Sequence, residues 1–327
     1  MKGTYTIRVR RNRVTYSLIL ERNITIICGN SATGKTTLYQ CIADYEEYGA
    51  ASGIHLESRK ECHVLEGRHW QSDLESFSDS FVFVDEGNSF LKSRDFADAI
   101  KNTDNYYVLI TRENLYQLPY SVNSVLVLKQ TTSRFKHTYN RTYPRYEHID
   151  AFRMIVGNMN GIITEDSNSG YDLYSVIADK NGISCISAGG KSGILPKLKE
   201  AKGKSIIVAA DGAAFGAEMA EIYHYLKLHE NELVLYLPES TEWVILSSGV
   251  LHDTLIEEIL SNPSDFIDSR QYFSWEQFFT ELLTQKTRNT PAAYDKRKLA
   301  DFYLKKENLE KIIRVISGDS MIQTPKV

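Results

Sequence analysis

The chain has 327 residues, a length that suggests two domains. Hydrophobic residues make up 42% and charged residues 24%, with a formal net charge of -4. That is the mix of a folded protein with a sizeable core, and it excludes a uniformly basic nucleic-acid binder. No apolar run approaches the ~18 residues that cross a bilayer, so no membrane is expected as a partner. The opening MKGTYTIRVR lacks the apolar stretch of a signal peptide. Cys28, Cys41, Cys62 and Cys185 show neither CxxC spacing nor paired histidines. Neither disulfides nor zinc are expected, and the expected compartment is a reducing cytoplasm.

Taken in order, residues 4–9 and 13–20 alternate as the strands of an antiparallel hairpin. The same stretch is locally basic: Lys2, Arg8, Arg10, Arg11, Arg13 and Arg22 face only Glu21. It is read as a solvated hairpin face before a nucleic-acid patch. Residues 23–28 (NITIIC) form a short apolar run, the pattern of a buried parallel strand, and 34–45 read as a helix. Strands follow at 81–84, 106–110 and 122–128, with helical spacing at 90–101. This alternation predicts a parallel sheet covered by helices. The polar, aromatic stretch 131–146 suggests a domain boundary. Beyond it the alternation restarts, with strands within 153–164 and at 183–187, 205–210 and 233–237, and helices at 171–180 and 213–229. From Trp275 onward the pattern is helical, and 319–327 reads as a loose tail. The expected division is 1–147, 148–260 and a C-terminal helical segment, 261–327.

The strongest motif is Gly29-Asn30-Ser31-Ala32-Thr33-Gly34-Lys35-Thr36, which fits G-x-x-x-x-G-K-[ST] without a gap. Glycines let the loop curl so that backbone N–H groups point at phosphates. The helix behind presents its positive end to the same anion. Lys35 is placed to reach the terminal phosphates, Thr36 to hold Mg²⁺, and Thr37 to add a further contact. The expected ligand is therefore a nucleoside triphosphate, with ATP and Mg²⁺ as cofactors. About fifty residues on, Phe81–Val84 precede Asp85-Glu86. An acid at the end of a strand beside the loop's strand holds Mg²⁺, the role expected of Asp85. Glu86 is placed to act as general base on a water. Thr111 and Arg112 follow the next strand, as γ-phosphate contacts or as strand-end residues facing solvent. Tyr16 either stacks on the base or packs.

These residues, RNITIICGNSATGKTTL and FVFVDE above all, resemble ABC-type ATPases of the SMC, Rad50 and OLD kind over roughly residues 1–130. The resemblance implies a P-loop ATPase fold. The chain departs from it in having no LSGGQ-like signature between Lys35 and Asp85. In that family the signature completes a partner protomer's site, so the sandwich-dimer mechanism is not expected to carry over.

In the second half, Glu165-Asp166 follow one apolar strand, the glycine-rich turn Gly189–Gly193 with Lys191 follows another, and Asp211 ends a third. Strand C-termini line one edge of a parallel sheet, so these acids are placed to converge on a divalent metal. The order resembles a TOPRIM domain over about 155–250. The resemblance implies that Glu165 and Asp211 ligate metal for phosphodiester chemistry. The second acid of its D-x-D motif is missing, since the sequence reads Asp211-Gly212-Ala213. Glu218, Glu239 or Glu242 stand near enough in sequence to compensate. The Gly189–Gly193 segment is read as a turn with at most an anion-binding role, Lys296-Arg297-Lys298 as a solvated cluster, and Tyr272, Phe273, Trp275, Phe278 and Phe279 as packing at helical spacing. Two functions follow. One is an ATPase coupled to nucleic-acid processing on DNA or RNA, as in OLD-like bacterial antiviral defence proteins. The other is an ATP-controlled module that binds a partner protein, or its own copy, through a non-catalytic second domain.

Overall fold

The computed structural model describes residues 1–30, 33–133, 137–146, 159–229 and 233–318. Its fold is mixed α/β, with a large sheet, a separate parallel sheet and C-terminal helices. By its internal contacts the chain divides into two units, Met1–Tyr146 with Pro263–Ser274 and Glu147–Asn262 with Trp275–Val327. The C-terminal segment 261–327 is therefore not a third unit. Its first part is tied to the N-terminus: the Met1 ammonium donates to Asp268 Oδ1 at 3.2 Å and Ser269 Oγ at 2.9 Å.

The first unit holds nine strands: β1 Tyr5–Arg11, β2 Val14–Leu20, β3 Ile24–Cys28, β4 Ile54–Glu57, β5 Cys62–Val64, β6 Phe81–Asp85, β7 Tyr106–Ile110, β8 Val125–Thr132 and β9 Thr138–Pro144. They form one sheet in the order β4-β1-β2-β9-β8-β3-β7-β6-β5. Strands β3 and β7 are buried at every residue, and β6 at all but Asp85. Continuous apolar runs of this kind suit parallel strands covered on both faces. β1 and β2 alternate instead, with Ile7, Val9, Tyr16 and Leu18 buried between more exposed neighbours. Helix α1, Lys35–Tyr48, follows β3 and buries Leu38, Tyr39, Cys41 and Ile42. Helices α2, Trp70–Ser76, and α3, Arg94–Ile100, complete the unit.

The first unit's N-terminal stretch ends at Tyr146, the end of the polar stretch 131–146. Within that stretch β9 pairs in parallel with β2 and antiparallel with β8, joining the hairpin to the rest of the sheet. One expectation is corrected: β6 does not lie beside β3, because β7 pairs with both and separates them.

The second unit is built on β10 Gly161–Thr164, β11 Ser184–Ser187, β12 Ile206–Ala209 and β13 Leu233–Tyr236, all parallel, in the order β11-β10-β12-β13. Its helices are α4 Ser169–Lys180, α5 Lys191–Glu200, α6 Met219–Leu228, α7 Thr241–Ser247, α8 Thr254–Ser261, α9 Trp275–Thr287, α10 Asp301–Leu304 and α11 Lys306–Ile316. The helix expected over 213–229 is broken into a 3-10 turn, Gly212–Ala214, and α6. The turn is held close to the chain after β13, where Gly212 N donates to Pro238 O at 2.6 Å. A Cβ at Gly212 would stand 2.4 Å from Leu237 O, so only glycine fits. The aromatic run 272–279 is likewise not one helix, since 272–274 belong to the first unit and α9 starts at Trp275. The residues of the expected 153–164 strand before 159, and the expected tail, lie outside the described residues. Among the described residues no helix is long and apolar enough to cross a membrane.

Candidate functional site

Two clusters of ionisable side chains sit at the C-terminal ends of parallel strands, one in each unit. In the first, β3 runs into the loop Gly29–Gly34, of which Ser31 and Ala32 lie outside the described residues. Gly34 adopts φ +87°, and a Cβ there would stand 2.9 Å from the Tyr16 hydroxyl. Glycine is required at this position by both backbone and space. No side chain caps α1, so its first N–H groups are free to meet an anion.

Lys35 is 6% exposed. Its Nζ donates to Gly29 O and Asn30 O at 2.8 Å each and to Thr33 Oγ1 at 3.1 Å. Burial lowers its pKa and the nearby Arg112 guanidinium lowers it further, while Glu86, Cys28 and Asp85 oppose this. The electrostatics therefore bring Lys35, Arg112, Glu86 and Asp85 into one neighbourhood. Thr36 and Thr37 are exposed on the first turn of α1, and Asp85 is half-buried at the end of β6. Glu86 is exposed and held by Arg112, whose N donates to Glu86 Oε2 at 3.2 Å and whose Nη2 lies 3.5 Å from Oε1. Thr111 is buried, and its Oγ1 accepts from Glu113 N at 3.0 Å. Its hydroxyl oxygen fixes the turn that presents Arg112.

Tyr16 departs from the base-stacking alternative. At 2% exposed it has no ring face to offer, and its hydroxyl donates to Gly34 O at 3.1 Å. It props the loop from the sheet side.

In the second unit, Glu165 and Asp211 do come together. Asp211 N donates to Glu165 Oε2 at 3.1 Å, and Asp211 Oδ1 accepts from Thr241 N at 3.0 Å. Burial pushes Glu165 up to about 7, with Glu276 and Glu218 adding to it against the pull of Lys191. Burial also raises Asp211 well above the usual carboxylate range, helped by Glu276, Glu165 and Glu242 and opposed by Lys296. With Thr164, Asp166, Gly170, Tyr174 and Thr241, both acids line a small depression at the strand ends.

Further residues complete this cluster. Glu242, 1% exposed, accepts from Tyr294 OH at 2.7 Å through Oε1, while its buried Oε2 has no hydrogen-bond partner. Glu218 Oε2 is buried without a partner as well. Lys296 Nζ donates to Glu276 Oε1 at 2.6 Å with its side chain still 42% exposed, so it is partly solvated but ion-paired, while Arg297 and Lys298 of that trio are exposed. Its pKa is raised by Glu276, Glu242 and Asp211 against the effect of burial. Lys191 turns inward too, donating to Ala214 O at 2.6 Å from the start of α5. It faces the carboxylates Glu165 and Glu218 rather than an external anion. Nothing in local sequence marks Lys296 or Glu276, since each reaches the cluster from more than a hundred residues beyond Glu165.

Among the described residues no three His, Cys, Asp or Glu side chains are grouped closely enough to hold one metal ion. The metal set expected of Thr36, Asp85, Glu165 and Asp211 thus consists of a hydroxyl and a carboxylate in one unit and a carboxylate pair in the other. Comparison of the chain with protein-family models finds no match, and comparison with curated proteins finds none.

Proposed function

We propose that the first unit binds ATP with magnesium at Gly29–Thr36 and hydrolyses it, and that the second unit acts on nucleic acid with a divalent cation, in the manner of OLD-like proteins. One observation carries the first half: a buried lysine, its charge disfavoured by burial and by the nearby Arg112 guanidinium, sits at the mouth of a glycine-bent loop. An anion placed between the two cations relieves that cost, and a triphosphate is the anion this loop spacing suits. Thr36 and Asp85 are hard oxygen donors suited to Mg²⁺, which when bound neutralises phosphate charge. Lys35 then turns from the loop carbonyls to phosphate oxygens, Glu86 takes the proton of the attacking water, and Arg112 steadies the developing charge. Calorimetry tests this directly. Lys35→Ala is expected to remove most ATP affinity, and undiminished binding by a folded variant sinks the reading.

Support for the second half is the pair Glu165 and Asp211, whose pKa values are raised first by burial and then by neighbouring carboxylates. Two neighbouring carboxylates are hard oxygen donors of the kind a divalent cation takes, with water or substrate oxygens to complete its shell. A second reading, a non-catalytic interaction domain, is favoured by Lys296, which already supplies an internal positive charge to these acids. Nuclease assays with Mg²⁺ or Mn²⁺ on DNA and RNA, with Glu165→Ala as control, separate the two. The described cysteines are all free thiols, which suits the reducing compartment we assign.

A further inference from the structure

Strand alternation gives the β4-β1-β2-β9-β8 half of the first sheet one buried face and one open face. Ile7, Val9, Tyr16 and Leu18 are buried inward. Residues next to them along each strand point outward. The register then arranges the outward residues in rows. Arg8 lies opposite Ser17, Ser17 opposite Arg141, and Arg141 opposite Lys129. This row crosses β1, β2, β9 and β8, so at ~4.8 Å between strands it is about 14 Å long. Beside it, at about two residues' rise or ~7 Å, runs the row Arg10, Thr15, Tyr139 and Thr131. On its other side stand Ile19 and Tyr143, each two residues along its strand from the central row.

These rows combine exposed apolar groups with cations. Ile19, Tyr139 and Tyr143 are 47%, 41% and 40% exposed, large apolar groups left open to water. Around them stand Arg8, Arg10, Arg141 and Lys129, all exposed. Glu57, opposite Arg8 and 3.7 Å from its guanidinium, is the one carboxylate in the rows among the described residues. Lys129 Nζ lies 5.0 Å from the Tyr143 ring centre. The whole chain carries a net charge of -4, so a face with four cations and one carboxylate is a local reversal of sign. The basic residues near the N-terminus do not act together here. Arg11 turns to Asp44 at 2.9 Å and Arg22 is buried, while Arg141 and Lys129 join from β9 and β8.

We propose that this open sheet face binds a single strand of nucleic acid. Phosphates lie along the Arg8–Arg141–Lys129 row, and bases stack on Tyr139 and Tyr143. Exposed tyrosine rings beside a cation row suit unpaired bases, because a duplex keeps its base faces stacked inside. The inference shares a ligand class with the chemistry proposed for the second unit but rests on different residues.

Fluorescence anisotropy with labelled oligo-dT and oligo-U of roughly 20 nucleotides tests it on the full chain, in EDTA without ATP, at about 50 mM salt. Binding is expected, with log K falling against log salt at a slope of about -2 for three phosphate contacts. The triple variant Arg8→Gln, Lys129→Gln, Arg141→Gln should bind at least about tenfold more weakly, with a flatter slope. Tyr139→Ala with Tyr143→Ala should weaken binding about fivefold or more and leave the slope unchanged. Lys197→Gln with Lys199→Gln, two cations on α5, should change nothing. All substituted side chains lie on the surface, and circular dichroism and melting checks identify any variant that misfolds. Three results overturn the proposal: no binding of either oligonucleotide, equal binding by folded variants, or a parent dimer that the triple variant dissociates without loss of oligonucleotide affinity. The last outcome assigns the face to a second copy of the chain. Because neither nucleotide nor metal is present, failure here leaves the ATP and cation readings standing, and their failure leaves this one.

Discussion

The two ionisable clusters share a position, at the ends of parallel strands, and differ in their charge balance. In the first unit Lys35 and Arg112 stand against Asp85 and Glu86, two cations and two acids, with both acidic partners reachable from solvent. In the second unit Glu165, Asp211, Glu218, Glu242 and Glu276 crowd around Lys191 and Lys296. The first cluster is balanced in number but holds a buried lysine whose charge is disfavoured by burial and by Arg112, so an anion improves it. The second has excess negative charge in a poorly solvated place, so a cation or a proton improves it. Similar parts therefore prepare opposite demands, and the sign of the unmet charge distinguishes them better than fold position does.

The sharpest way to break this comparison is Glu86→Gln. ATP binding is expected to persist while turnover falls by about 10²–10⁴, the usual contribution of a general base. Equal turnover, measured by phosphate release, would remove Glu86 from that role.

Next in size is the response of the second unit to manganese. At a concentration about 100 times the dissociation constant, binding to the folded state alone adds about 2.7 kcal/mol. The gain should be larger at pH 8 than at pH 6, because the cation must displace protons from Glu165 and Asp211. A melting temperature indifferent to manganese at both pH values favours Lys296 as a permanent counter-charge.

A comparable effect is expected from Glu165→Gln without metal. Burial raises the folded pKa from 4.5 to about 7, so the folded state holds the proton more tightly than the unfolded chain. That contribution is complete below about pH 4.5 and is lost as pH rises through 7. The amide cannot ionise and can still accept from Asp211 N. It should stabilise the second unit by about 3 kcal/mol at pH 8 and by nothing near pH 4. Urea unfolding at the two pH values measures it, and the opposite trend would mean that Glu165 is held as a carboxylate.

The smallest effect is expected from Tyr16→Phe, which removes one hydrogen bond to Gly34 O and costs about 1 kcal/mol. If ATP affinity falls without any stability change, the hydroxyl shapes the loop for ligand rather than supporting the fold.

Much of the first unit was legible because its central strands are unbroken apolar runs: ITIIC, FVFVD and YYVLI need no partner information to be recognised. The loop glycines and Lys35 were legible because a fixed spacing suits one geometry. β9 was not, because TYNRTYP is half polar and becomes a strand only by pairing with β2 and β8. Residues 54–57 and 62–64 were missed as short edge strands, and α5 because glycine precedes its first turn and Pro196 interrupts its pattern. In the second cluster the two strand-end acids were readable from local sequence. Lys296 and Glu276 were not, since their role arises from distant helical and loop segments folding back over the sheet edge.

Strand β2 carries Tyr16 on its inward side and Ser17 on its outward side, one peptide bond apart. The same backbone thus meets the glycine loop on one surface and the Arg8–Arg141 row on the other. A displacement of Gly34 that moved the tyrosine would have to be absorbed by a ribbon clamped between β1 and β9, or else be felt at once among the arginines. β2's seven residues are thus a single partition with the glycine loop on one side and the cation row on the other.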